Sequence, residues 1–232
     1  MFWEISLFFV PISLYSHSMF LEQVTTSPLT IHEDTIIFDD GILRELEITV
    51  LEWVKLQYLI VPSISMNNTR IFHLQSWSTF IGAGVYYHAD MVQQMSVIIN
   101  GNDVKASLNL LALMKSHAKI AVDGIGRVEK WSERIHLRVD QTNILLGTDL
   151  SIRGRPVLEI ETDSIEWGHS NRTHRISWES LFYLQSHGID ASTAEGMLLS
   201  AEIMRHVGVI GEKGEKIGEK VKREVGDIRT QK

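Results

Sequence analysis

Residues 104–110, Val104-Lys105-Ala106-Ser107-Leu108-Asn109-Leu110, alternate apolar and polar side chains without a break. A period of two over seven residues belongs to a strand with one buried face; a helix would need a period near 3.6. The same alternation recurs outward in both directions. Upstream it appears in Ile71-Phe72-His73-Leu74-Gln75, Val54-Lys55-Leu56-Gln57-Tyr58 and Glu47-Ile48-Thr49-Val50. Downstream it appears in Arg134-Ile135-His136-Leu137-Arg138-Val139, Val157-Leu158-Glu159-Ile160 and Ser164-Ile165-Glu166-Trp167. Turn signals lie between them: Asn67-Asn68, Gly82-Ala83-Gly84, Asn100-Gly101-Asn102-Asp103, Asp123-Gly124-Ile125-Gly126, Gly147 and Gly154. Short strands at this spacing suit a sandwich, a barrel or a β-solenoid, and periodicity alone does not choose among them.

Beyond Trp167 the pattern becomes helical. Ser177 is the expected N-cap of a helix carrying Leu181, Phe182 and Leu184, with Gly188 as its stop. Ser192-Thr193-Ala194-Glu195 has the spacing of a capping box. The helix it predicts has an apolar stripe of Ala194, Met197, Leu198, Ala201, Met204 and Val207. From Glu212 onward, Ile217, Val221, Val225 and Ile228 share one face of a third helix amid alternating Lys and Glu, with Gly214 and Gly218 weakening it.

Composition narrows the function classes. In 232 residues, 22 Lys+Arg against 29 Asp+Glu give a net charge of −7, which argues against a phosphate backbone or an anionic membrane as the main partner. Cysteine is absent, which removes disulfides, thiol nucleophiles and any self-sufficient thiolate-ligated cluster. The apolar opening, Met1 to Leu21, lacks the positive start of a signal peptide, since its first charge is Glu4 and the first basic side chain is Arg44. Glu4, Pro11, Ser13, Ser16, His17 and Ser18 interrupt it as a membrane span. The expectation is a buried terminal segment in a cytoplasmic protein.

Pro156-Val157-Leu158-Glu159-Ile160-Glu161-Thr162-Asp163-Ser164-Ile165-Glu166-Trp167-Gly168-His169 resembles a signature of the SufB/SufD family, the scaffold components of SUF iron–sulfur cluster assembly. Leu181-Phe182-Tyr183-Leu184-Gln185-Ser186-His187-Gly188-Ile189-Asp190 is similar to a second family block, with His187 where Arg is usual. Asp140-Gln141-Thr142-Asn143-Ile144-Leu145-Leu146 resembles the stretch ahead of the signature. Trp167 stands where the SufD branch often has Cys, and Ser170 where Gly often follows. Having no cysteine, the chain resembles a shortened SufD-like member, without room for the family's N-terminal helical domain.

The resemblance implies a mainly β fold, a right-handed parallel β-helix followed by a small C-terminal helical domain. The division expected is an apolar capping segment over 1–29, the β-helix core over 30–170 and the helical region over 171–232, with the helices closing the far end of the β-helix. It further implies a scaffold with no catalysis of its own. Its partners would be a SufC-type ABC ATPase and either a SufB-like paralogue or a second copy, with no nucleic acid, no membrane and no nucleotide bound by this chain.

His169 matches the histidine that the SufD branch brings to its partner interface, and so is the candidate ligand for iron or a transient iron–sulfur cluster, held only with a partner subunit. The plain alternative is a hydrogen-bonded loop histidine. His174 lies five residues on, but Arg172 and Arg175 flank it and would repel a cation. Phe182, Tyr183, Met197, Leu198 and Met204 are the candidate partner-binding residues, set against the reading that they only cover the β domain. Asp39-Asp40-Gly41 reads as a turn before it reads as paired carboxylates. No G-x-S-x-G, H-E-x-x-H or Walker spacing occurs. Two other classes remain open: a carbohydrate-active β-helix enzyme with an external acidic groove, and a purely structural β-solenoid adaptor.

Overall fold

The computed structural model describes residues 19–20 and 27–227. Thirteen strands follow one another: β1 Met19–Phe20, β2 Leu29–Ile31, β3 Thr35–Asp39, β4 Glu45–Val50, β5 Lys55–Ile60, β6 Asn68–Leu74, β7 Thr79–Tyr86, β8 Met91–Ile99, β9 Lys105–Met114, β10 Lys119–Val128, β11 Ile135–Leu145, β12 Ser151–Ile160 and β13 Ile165–His174. They alternate between two sheets, the odd strands in one and the even strands in the other, each in chain order. Every pairing is parallel. This is a parallel β-helix of two-stranded coils, as the sequence reading expects. Most of the apolar opening expected to cap it lies outside the described residues.

The coils widen along the chain. Leu29 stands against Ile48, 19 positions on, whereas Lys119 stands against Ser151, 32 positions on. The even strands lengthen with them, from 3 residues in β2 to 10 in β12. Between the sheets the inward parity of each strand fills one continuous core, including Ile48, Leu56, Phe72, Phe80, Val97, Leu108, Ile120 and Val139. The corners use left-handed backbone at Trp53, Trp77, Asp103 and Arg134 on one side and at Asp90, His117 and Asp149 on the other. Trp53 and Trp77 stack there, ring centroids 4.7 Å apart and ring planes nearly parallel.

Three of the expected turns are strand interiors. Gly82 and Gly84 lie in β7, Gly124 and Gly126 in β10, and Gly154 in β12. The reason is space inside the coil. A Cβ on Gly82 would sit 2.7 Å from Phe80 Cε1, and one on Gly124 would sit 2.9 Å from both Leu110 and Val139. Glycine here makes room for larger neighbours in the core and does not bend the chain.

Three α-helices follow: α1 Trp178–Ser186, α2 Ala191–Val207 and α3 Glu212–Asp227, with a 3-10 turn at Gly208–Ile210. Ser177 caps α1 as expected, its Oγ accepting from the Ser180 N–H. The cap of α2 is Asp190, not Ser192: its carboxylate accepts from Thr193 N–H at 3.0 Å and from the Thr193 hydroxyl at 2.6 Å, which starts the helix earlier. The buried face of α2 accordingly shifts to Ala194, Leu199, Ile203 and Val207, leaving Met197 exposed.

The helices do not close the end of the β-helix. α2 and the 3-10 turn lie along the outer face of the odd sheet, with α3 and α1 packed on α2. Leu199, Ile203, Val207, Ile210 and Val221 share one apolar cluster with Phe38, Leu59, Val85, Leu111 and Ile144. Five successive odd strands each give an apolar side chain to that outer face, so burying it outweighs covering one terminal coil. Gly218 lets α3 approach α2, since a Cβ there would meet Met204 Sδ at 2.6 Å and Val207 Cγ2 at 2.7 Å.

Candidate functional site

With α2 lying along one sheet, no described residue pairs with the wide end of the β-helix. β12 pairs with β10 alone and β13 with β11 alone, so two strands of ten residues each present an unpaired edge among the described residues. Parallel pairing has already aligned these edges to receive a further strand. Pro156, which could not donate within a sheet centre, is tolerated in β12 because this is an edge.

His169 lies inside β13 and not in a loop after it. Its register partner is Val139, and that of Trp167 is Leu137, both fully buried. Both residues therefore carry the inward-facing parity, but in the last coil, where no described coil covers them. Trp167 is 58% exposed and His169 is also exposed. Their rings lie parallel, with centroids 6.2 Å apart. His174 is five positions on, an odd spacing, so it faces the opposite side of the sheet and cannot share a metal with His169. Among the described residues no group of three or more His, Asp or Glu side chains is placed to hold a metal ion. His169 can offer one imidazole at an open surface and nothing more.

Behind this edge the interior turns polar, which the sequence reading did not single out. Gln141 and Asn143 continue the inward parity of Leu137 and Val139 in β11 and are fully buried. Gln141 Nε2 donates to Asn143 Oδ1 at 3.0 Å, and Asn143 Nδ2 donates to Asn171 Oδ1 and Thr173 Oγ1, each at 3.0 Å. Asn171 Nδ2 closes the series on the Gly154 carbonyl at 2.8 Å. These amides fix the register of the last coil while leaving its rim hydrophilic. The signal was available, since Gln141 and Asn143 fall on the core parity of an otherwise apolar strand.

The partner-binding candidates divide by exposure. On α1 no residue is buried, and Trp178, Phe182 and Tyr183 are 57–65% exposed. Trp178 and Phe182, one turn apart, pack ring against ring at 5.3 Å. Met197 on α2 is exposed, while Leu198 and Met204 are half-buried. Phe182, Tyr183 and Met197 are thus each open to solvent; Met204 is taken up by the contact with α3.

A family model described as SUF system FeS cluster assembly, SufBD core domain, matches residues 51–202. The chain belongs to the SufBD core-domain family. The matched region runs from the corner before β5 into α2, so it holds Trp167, His169, Phe182, Tyr183, Met197 and Leu198. Two curated relatives, each named iron-sulfur cluster assembly protein SufD, come from Escherichia coli (strain K12) and Bacillus subtilis (strain 168). Each is 26% identical, over 89 and 87 residues respectively, 38% of this chain in both cases. The match spans 21% and 20% of those relatives' own length, so this SufBD chain aligns with about a fifth of each.

Proposed function

We propose that this chain is a SufD-like scaffold of SUF-type iron–sulfur cluster assembly, with no catalysis of its own. It pairs through the open β12–β13 end with a SufB-like subunit or a second copy. The SUF membership and the SufD names of its relatives support the process. The observation that carries the pairing is the unpaired ten-residue edge of β13, with Trp167 and His169 exposed on it. The nascent cluster, or iron, is the cargo of that junction. His169 contributes one nitrogen ligand, and the thiolates come from the partner, because this chain has no cysteine. A SufC-type ABC ATPase docks on the aromatic face of α1 and the exposed Met197 of α2, aromatic and methionine side chains being strong and adaptable anchors. On this reading the chain works in the cytoplasm. Among the described residues no helix is long and apolar enough to cross a membrane.

Co-expression with a SufB-type subunit and a SufC-type ATPase tests this. Tagged wild type should capture both, and iron loading of the reconstituted complex should fall in His169→Ala while staying near wild type in His174→Ala. Failure of the folded chain to retain either partner overturns the scaffold reading; equal loading of the His169 variant removes that residue from the site.

A further inference from the structure

On the outer face of the odd sheet, beside the C-terminal half of α2, lies a cleft of about 450 Å³ lined by Arg138, Asp140, Thr142, Arg172, Arg205 and His206. Three arginines line it in a chain whose net charge is −7. They come from both layers: Arg138 and Arg172 from β11 and β13, and Arg205 from α2. Two of the three charges are already answered. Arg138 Nε donates to Asp140 Oδ2, and Arg205 forms an ion pair with Glu202. Asp140 is further occupied by Ser170, whose hydroxyl donates to Oδ1 at 2.6 Å. Arg172 has no carboxylate partner among the ion pairs of the described residues. His206 is buried with its Nδ1 2.9 Å from the Glu202 carbonyl; burial lowers its pKa, with Arg205 and Arg172 adding to the effect and Glu202 opposing it. The Thr142 hydroxyl and the Asn109 amide complete a lining rich in hydrogen-bonding groups.

We propose that this cleft binds a small phosphate-bearing ligand, with the phosphate held between Arg172 on the sheet and Arg205 on α2. Guanidinium groups match oxyanions with paired donors, and one uncompensated positive charge remains for the ligand to answer. The cleft opens to solvent beside the oxyanion and so can also admit the organic portion of a phosphate monoester. This site lies on the outer side of the sheet, apart from the inward-facing His169, and does not depend on the scaffold reading.

Isothermal titration calorimetry on the full chain, at ionic strength held constant with sodium chloride, tests it with inorganic phosphate and with glycerol phosphate. Saturable binding with Kd of about 1 mM or tighter is expected for at least the ester. Binding of both probes identifies the oxyanion itself as the determinant; binding of the ester alone identifies the organic portion as part of the ligand. Arg172→Gln should weaken binding about tenfold or more, the loss of one charge-assisted contact, and Arg205→Gln should weaken it similarly. Arg153→Gln, on the even sheet where Arg153 pairs with Asp123, should change nothing. No saturation by either probe overturns the site. So does a folded Arg172→Gln or Arg205→Gln chain that binds as wild type does.

Discussion

Arg70 and Asp39 meet inside the β-helix, Nε to Oδ2 at 2.5 Å, with their side chains only 1% and 2% exposed. Tyr58 donates its hydroxyl to the same carboxylate, and the guanidinium also donates to the carbonyls of Leu43 at 2.8 Å and Thr69 at 3.0 Å. Burial, reinforced by Asp39, pushes the Tyr58 phenol well above its ordinary range, so it remains a neutral donor. Arg70→Ala would leave a buried carboxylate without its cation and should cost about 3–5 kcal/mol. Replacing both partners, Arg70→Met with Asp39→Leu, should cost less than the single change. Urea denaturation of the three proteins decides it. A single variant within about 1 kcal/mol of wild type would mean the pair contributes little.

The glycines of the strands should behave oppositely to one in a helix. Gly124→Ala places a methyl against Leu110 and Val139 and should destabilise by about 1–3 kcal/mol. Gly196 in α2 has nothing within 4 Å of an added Cβ, so Gly196→Ala should stabilise by about 0.5–1 kcal/mol. Two melting curves suffice, and a shift of the same sign in both would contradict the packing described for β10.

His206 should make stability depend on pH. Burial lowers its pKa below the ordinary 6.5, with Arg205 on its own helix and Arg172 on β13 adding to the effect and Glu202 opposing it. The unfolded chain therefore binds this proton more readily than the folded one. The stabilising contribution is complete above about pH 6.5 and is lost as pH falls below it. His206→Gln should flatten that loss, so the difference in melting temperature between wild type and variant should narrow from pH 7.5 to pH 5.5. A constant difference would place the titration elsewhere.

Phe182→Ala and Tyr183→Ala should leave stability within about 0.5 kcal/mol, because both side chains are largely exposed on a helix with no buried residue. The same pair should reduce retention of a SufC-type ATPase in a pull-down. Undiminished retention by the folded double variant would move the docking surface off α1. Point changes are the better probe here, since deleting α2 would uncover the apolar face of the odd sheet.

Period-two alternation was enough to locate β4 and the first halves of β5, β9 and β11, because there one face is on the core and one is more open to solvent. It missed β2, β3, β7, β8 and β10, and two reasons show in β7, β9 and β10. In β7 and β10 glycine occupies inward positions where Phe80, Leu110 or Val139 needs the volume, so its usual meaning as a turn misleads. The far halves of β7 and β9 are buried on both faces, the outer one by α2, and so read as apolar runs without a period. The stripe of α2 was misplaced because the sequence does not say which sheet face the helix will cover. His169 and the aromatic residues of α1 were legible from the family blocks alone. The cleft around Arg172 was not, since its residues come from two strands and a helix that only folding brings together.

A stack of coils that touches only its neighbours can open one rung at a time from either end. Here α2 and the 3-10 turn after it lie across the rungs, backed by α3, in one apolar cluster with Phe38, Leu59, Val85, Leu111 and Ile144 on five successive odd strands. Loosening any one of those rungs strips part of the cover from all of them. The middle of the molecule is thereby tied into a single cooperative block, as boards are by a batten nailed across them. The last coil, whose strands β12 and β13 give no side chain to that apolar cover, is left freer to adjust to whatever meets it.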